Sequence, residues 1–127
     1  MTALYAEVKN FLHLDNESLI YKNSPFTGLL KKDSEKEHTE SHYQSGKRHG
    51  IFKSYYLSGA IKEVTLYQNG KKSGRSIEYW PNGTKKMNVN FVDDKMNGVY
   101  EEWDEASNPT SLKRYYMGKV ICAKIIF

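Results

Sequence analysis

Cysteine is almost missing. Cys122 stands alone, which excludes an intramolecular disulfide and a cysteine-based metal centre; a small apolar side chain in a terminal strand is its expected role. No segment approaches the roughly 18 consecutive apolar residues of a transmembrane helix. The N-terminal MTALYAEVKNFLHLDNE has no basic start running into an apolar stretch, so no signal peptide is expected, and the protein is expected to be soluble and cytoplasmic. Histidine is scarce too. His38 and His42 are four apart, but no third ligand accompanies them, and with His49 they read as solvated loop side chains rather than a metal site. No Gly-x-x-x-x-Gly-Lys-Ser/Thr loop is present, so the glycines serve no such phosphate cradle. At 127 residues the chain suffices for one modest core and is too short for two.

What the chain has in quantity is tyrosine, 10 residues of it, set in a repeating frame. The stretch YQSGKRHGIFKSYYLSG at 43–59 recurs 24 positions on as YQNGKKSGRSIEYWPNG, matching at Tyr43/Tyr67, Gly46/Gly70, Gly50/Gly74, Tyr55/Tyr79, Tyr56/Trp80 and Gly59/Gly83. A further step lands on Phe91, Asp94, Gly98 and Trp103, and another on Tyr115 and Gly118. Upstream, YKNSPFTG repeats the pattern with a two-residue shift. A period of this size marks units that cannot bury an apolar face alone and depend on their neighbours.

Between the glycines lie short strand-like runs such as IFKSYY, AIKEVTLY and TKKMNVNF, and Asn-Gly at 69–70, 82–83 and 97–98 supplies residues that tolerate positive φ, as tight hairpin connections need. Each unit is expected to be one hairpin. Connections this short exclude parallel crossovers, so the units build one antiparallel meander. Tyr55, Tyr79 and Trp103 are expected on one face as an aromatic spine, and Tyr67, Phe91 and Tyr115 as a second column whose rings cover the neighbouring unit's backbone. Residues 1–20 are expected to form a strand or short cap, the polar 30–41 a long solvated hairpin or loop, and Ile125, Ile126 and Phe127 the last strand.

Taken together, YKNSPFTG, YQSGKRHG, YYLSG, YQNGKKSG, YWPNG and the weaker FVDDKMNG resemble the bacterial MORN-repeat variant over about residues 21–120. The resemblance implies an all-β fold, a single antiparallel meander sheet of consecutive MORN-like hairpin repeats at about 21–42, 43–66, 67–90, 91–114 and 115–127. It also implies an antitoxin or immunity-type protein that neutralises a toxin by binding it. The fourth unit departs from the pattern: Asp94 replaces the first glycine, and DEASNP replaces the aromatic-x-x-Gly turn.

Charge divides the repeats. From Tyr43 to Phe91 nine basic residues face two acidic ones, Glu63 and Glu78, whereas from Val92 to Asn108 only Lys95 opposes six carboxylates. The acidic unit is the expected contact for a cognate protein toxin, through Asp93, Asp94, Glu101, Glu102, Asp104 and Glu105 with Tyr100 or Trp103 as aromatic anchor. The alternative is a nucleic-acid or anionic-surface binder using Lys47, Arg48, Lys71, Lys72, Arg75, Lys85 and Lys86. A third is a structural scaffold that associates through its terminal strands. Glu101, Glu102 and Asp104 are placed on one strand with no facing wall, which argues against paired-acid hydrolysis. The expectation is a binding protein, not an enzyme, with no cofactor and no metal.

Overall fold

Two-residue turns set the architecture. Asn16-Glu17, Lys22-Asn23, Ser45-Gly46, Asn69-Gly70, Asp93-Asp94 and Met117-Gly118 have positive φ at both positions, the type I′ form whose twist matches that of antiparallel strands. The computed structural model describes residues 1–125. Its elements are β1 (Thr2–Leu4), a one-turn helix α1 (Tyr5–Val8) continued by a 3-10 turn (Lys9–Phe11), β2 (Leu12–Asp15), β3 (Ser18–Tyr21), β4 (Ser24–Pro25), β5 (Gly28–Asp33), β6 (Glu37–Gln44) and β7 (Lys47–Tyr56). They continue with β8 (Ile61–Gln68), β9 (Lys71–Tyr79), β10 (Lys85–Val92), β11 (Lys95–Met96), β12 (Gly98–Trp103), β13 (Pro109–Tyr116) and β14 (Lys119–Ile125). Of the expected last strand, Ile126 and Phe127 lie outside the described residues.

The expected antiparallel meander runs from β5 to β14 in chain order. The N-terminus adds two features. Strand β1 pairs in parallel with β5, and β2, β3 and β4 form a separate three-stranded sheet. The expected cap boundary after residue 20 falls inside β3, because the Lys22-Asn23 turn folds β4 back onto it. The cap therefore reaches Pro25. The polar segment 30–41 is strand on both sides of a short turn, in which the Ser34 hydroxyl accepts from the backbone N–H groups of Lys36 (3.3 Å) and Glu37 (3.1 Å).

The second glycine of each unit has two tasks. Facing the preceding strand, Gly50 and Gly74 sit where the register shifts, with φ of 95° and 118°; such bulges favour a residue without Cβ. Facing the next strand, Gly28, Gly50, Gly74 and Gly98 lie directly opposite Tyr43, Tyr67, Phe91 and Tyr115. Register thus sets each ring across from the bare backbone of a glycine. We call this side of the sheet the glycine face.

The third glycine of the frame, Gly83 with its counterpart Gly59, departs from expectation. Asn82-Gly83 is not a two-residue hairpin turn: Asn82 lacks positive φ, and the pair sits inside a five-residue loop, 80–84, between β9 and β10. Nor does any ring cover Gly83, which is exposed, lies outside the strands and has open space where a Cβ would stand. Its part in the repeat is to close the loop by donating its N–H to the Trp80 carbonyl (2.9 Å), as Gly59 does to Tyr56 (2.8 Å). The backbone there is left-handed, with φ of 90° at Gly83 and 93° at Gly59, and Ser107 adopts 67° at the same place one unit on. Asn97-Gly98 also makes no hairpin turn, since Gly98 opens β12 directly after β11. Of the three Asn-Gly pairs, only Asn69-Gly70 forms the expected connection.

The centre of the glycine face is a row of small side chains. Ser41, Ser54, Thr65, Ser76 and Val89 are buried between the rings. The Thr65 and Ser76 hydroxyls are 2.7 Å apart, and Thr65 donates to Glu63 at 2.7 Å, so Ser76 is the donor to Thr65. Among the described residues no buried side-chain polar atom lacks a partner. An apolar core forms at the cap instead, where Ala3, Leu19, Phe26 and Leu30 cluster and the Phe26 ring meets Tyr21 and Tyr43 edge-on at 6.1 and 5.7 Å. Burying a ring of that size contributes about 1.5–3 kcal/mol, which fixes the cap over the first edge of the large sheet.

Successive units are tied through the second aromatic of each pair. Tyr56 donates its hydroxyl to the Tyr79 carbonyl (2.6 Å), and Trp80 its indole N–H to the Trp103 carbonyl (3.1 Å). Of the expected spine, Tyr79 and Trp103 thus supply backbone acceptors, whereas edge-on ring pairs occur at Phe52–Tyr67 and Tyr100–Tyr115. Tyr56→Phe removes one such bond and leaves the ring. Urea unfolding should show a loss of about 0.5–1.5 kcal/mol; an unchanged midpoint would show that the bond contributes nothing.

Candidate functional site

Type I′ turns at 45–46, 69–70, 93–94 and 117–118 occupy one end of the sheet, and loops of four or five residues at 57–60, 80–84 and 104–108 the other. This divides the acidic unit. Asp93 and Asp94 lie at the turn end, whereas Asp104 and Glu105 lie at the loop end, about 20 Å away along β12. Glu101 alternates with Glu102 and projects from the opposite side of the sheet. The sequence-predicted group is therefore not one surface. Tyr100, Glu102, Trp103 and Asp104 come together; Asp93, Asp94, Glu101 and Glu105 do not join them.

The two departures from the repeat prove to be structural. Asp94 keeps the positive φ of the glycine it replaces, at 67°, and its N–H donates to the Lys72 carbonyl (2.9 Å) as Gly70 donates to Arg48 (2.8 Å). Its carboxylate also accepts from the Lys72 N–H at 2.7 Å. Asp104 occupies the place of Tyr56 and Trp80 and closes the same loop, accepting from Ser107 N–H (3.0 Å) and donating to the Asn108 carbonyl (2.9 Å). Its side chain accepts from the Asn108 and Ala106 N–H groups at 2.9 and 3.0 Å. Those bonds, Asn108's first, hold the carboxyl below its ordinary range.

Where the third and fourth units meet on the glycine face, a cleft of about 420 Å³ opens at the loop end. Trp80 and Tyr100 line it together with Met87 and Met96, and Trp103 reaches its rim beside the register shift between Glu102 and Trp103. Two carboxylates stand at the same repeat position, Glu78 on β9 and Glu102 on β12, each opposite Met87 of the intervening β10. Asp104 adds a third, and Lys86, 4.7 Å above the Trp80 ring, is the one cation among the cleft residues. Tyr100 donates its hydroxyl to Glu102, and burial followed by that bond pushes the phenol's pKa up, so it remains a neutral donor. Sequence reasoning missed Glu78, Trp80 and the two methionines, although the 24-residue step from Glu102 back to Glu78 was there to be counted.

The row of carboxylates continues on β8. Glu63 lies directly opposite Glu78, a like-charge pairing that costs stability in a sheet. The cleft is thus negative and aromatic, suited to a cation with apolar reach.

The predicted basic residues form no single patch. Lys47 and Lys71 are exposed at the turn end, Lys85 and Lys86 lie at the loop end, and Arg75 is on the opposite face bonded to Asn88 (3.1 Å). Arg48 and Lys72 lie over rings of the glycine face, Lys72 5.0 Å from Phe91. His38 and His42 are on β6, not in a loop, and a strand spaces them about 13 Å apart where a helix would join them. His38 instead pairs with Asp33 at 2.7 Å. Cys122 is exposed on β14. Among the described residues no group of three His, Cys, Asp or Glu side chains could hold a metal ion, and no helix is long and apolar enough to cross a membrane.

Neither a protein-family model nor a curated protein matches the chain.

Glu78→Gln removes the repulsion with Glu63 and should raise stability by about 0.2–1 kcal/mol in urea unfolding; a lower midpoint would show that the charge is compensated locally. Asp104 should contribute stability above the ordinary carboxylate range and lose that contribution as pH falls through its depressed folded-state value. The gap in urea midpoint between wild type and Asp104→Ala should therefore narrow on acidification, and a constant gap would show that the carboxylate's charge plays no part.

Proposed function

We propose that this chain is a non-enzymatic protein-binding module of the immunity or antitoxin type, acting in the cytoplasm, which occludes a cognate toxin by receiving a basic side chain of that partner in the Trp80–Tyr100 cleft. The observation that carries this is the alignment of Glu63, Glu78 and Glu102 along one end of the glycine face, against an aromatic wall. A guanidinium or ammonium entering the cleft gains carboxylate partners and a ring face to lie on, both of which strengthen as water leaves. The repeat sheet supplies rigidity, which reduces the ordering cost of association. Resemblance to MORN-repeat antitoxins supplies the class of partner.

The nucleic-acid alternative draws on the nine basic residues of 43–91, but these divide between two faces and two ends. The two readings separate experimentally. The chain is tested for rescue of cells from, and co-purification with, the product of the adjacent gene, and affinity is then measured for Glu78→Lys/Glu102→Lys. The double reversal should weaken the complex at least tenfold, about 1.4 kcal/mol, while circular dichroism stays unchanged. Absence of rescue, combined with oligonucleotide binding that falls steeply with salt, would replace this function with the alternative.

A further inference from the structure

A second cavity, of about 340 Å³, lies where the N-terminal cap meets the large sheet. Its chemistry is the reverse of the cleft's. Leu12, Leu19 and Leu30 make it apolar, and the Tyr5 and Tyr43 rings stand beside them. Around this body are set Arg48, Lys9, Lys32 and His13, and no carboxylate lines it.

Arg48 is the informative residue. It is half-buried, and its guanidinium lies 5.2 Å from the Phe52 ring centroid and 5.3 Å from that of Tyr67. Its Nη1 donates to the Tyr67 hydroxyl at 3.3 Å. Among the described residues the close contacts between a basic side chain and a carboxylate are His38 with Asp33 and Lys62 with Glu37, so none involves it. Burial opposes its charge, but the Tyr43 and Tyr67 hydroxyls more than offset this and keep it protonated. A guanidinium withdrawn from water among neutral partners retains unused donors, and its planar fork fits a carboxylate through two parallel bonds. The homologous residue one unit on, Lys72, borders no such cavity, because only the first unit carries the cap.

Three features restrict the occupant. The one half-buried fork favours a single small anionic head over a strongly hydrated polyanion. The leucine-lined body favours an aliphatic tail. Lys9 and Lys32, both exposed, with Lys32 4.5 Å from the Tyr5 ring centroid, place further positive charge at the mouth, where it draws anions in.

We propose that this pocket under the cap binds an aliphatic carboxylate of medium chain length, its head on Arg48 and its tail on the leucines. The site is separate from the Trp80–Tyr100 cleft and does not depend on the toxin-binding function.

The test is calorimetric titration of the full chain with decanoate, 1-decanol and acetate, kept below the concentrations at which the amphiphiles aggregate. Decanoate should bind one to one and at least tenfold more tightly than decanol, with no saturable signal from acetate. Arg48→Met, which preserves much of the packing over Phe52 and Tyr67, should lose at least tenfold in decanoate affinity. If Arg48→Met is misfolded by circular dichroism, Lys9→Gln/Lys32→Gln at the exposed mouth serves instead and should weaken decanoate severalfold without changing the decanol signal. Absence of saturable decanoate binding overturns the proposal. So does equal affinity for decanoate and decanol, which would make the cavity an apolar sink only.

Discussion

The structure depends on a hydrogen bond that repeats from unit to unit. At the type I′ turns 69–70, 93–94 and 117–118 the second residue donates its N–H to a carbonyl 22 residues earlier: Gly70 to Arg48 (2.8 Å), Asp94 to Lys72 (2.9 Å), Gly118 to Met96 (2.7 Å). The cap follows suit with a shorter step, Gly46 to Phe26 at 2.8 Å, which reproduces the two-residue shift of the first unit. Each bond requires left-handed backbone at its donor. Glycine provides it in three turns and aspartate in one, with a carboxylate that reaches the same neighbour. The ladder locks the turn of one hairpin onto the strand of the hairpin before it, so the array is stabilised by nearest-neighbour terms rather than by a common core.

That mode of assembly explains what is buried. A sheet lacking a second layer over most of its length must shield its centre with its own side chains, and small residues under neighbouring rings do this. Serine and threonine are acceptable there because they satisfy one another, as Thr65 and Ser76 do. The consequence is functional. Long stretches of both faces carry no covering element, and the one place where a second layer does form, the cap, is also where the apolar core lies. Exposure of Tyr116, Val120 and Ile121 at 66%, 51% and 61% shows that β13 and β14 have no comparable cover.

Much of this was legible in the sequence because the glycine and aromatic spacing is itself the hydrogen-bond pattern. Tyr67, Phe91 and Tyr115 could be predicted to cover a neighbour's backbone, and register places them opposite Gly50, Gly74 and Gly98. Equal spacing did not mean equal surroundings, however: Gly83 keeps the frame as faithfully as Gly74 does, yet it closes an open loop that no ring covers. Reading motifs by residue identity also misjudged the fourth unit. Asp94 and Asp104 look like drift or a contact surface, yet each reproduces its turn with a carboxylate in place of glycine's freedom or a ring. The cap was opaque for a different reason: β1 pairs with β5 across some 27 residues, as Thr2 opposite Leu29 shows, and a contact so distant and unrepeated leaves no periodic trace. Neither cavity could be read directly, since each gathers residues from several strands.

Both candidate sites sit where the sequence's local preferences conflict with stability. Glu63 opposite Glu78 repels across a strand pair, and Arg48 is drawn among rings with only phenols to answer its charge. Elsewhere the chain resolves such conflicts. His38 finds Asp33, Lys62 finds Glu37 at 3.0 Å, and among the described residues no buried side-chain polar atom lacks a partner. Glu63 and Glu102 accept from the Thr65 and Tyr100 hydroxyls and Arg48 donates to that of Tyr67, yet among the described residues none of the three forms an ion pair. The two proposed ligands accordingly carry opposite charges, a cationic side chain at the carboxylate row and a carboxylate at Arg48. The repeat fixes where such charges can be displayed: Glu78 and Glu102 recur at one repeat position, 24 residues apart, whereas the site at the other end is made with the unrepeated cap.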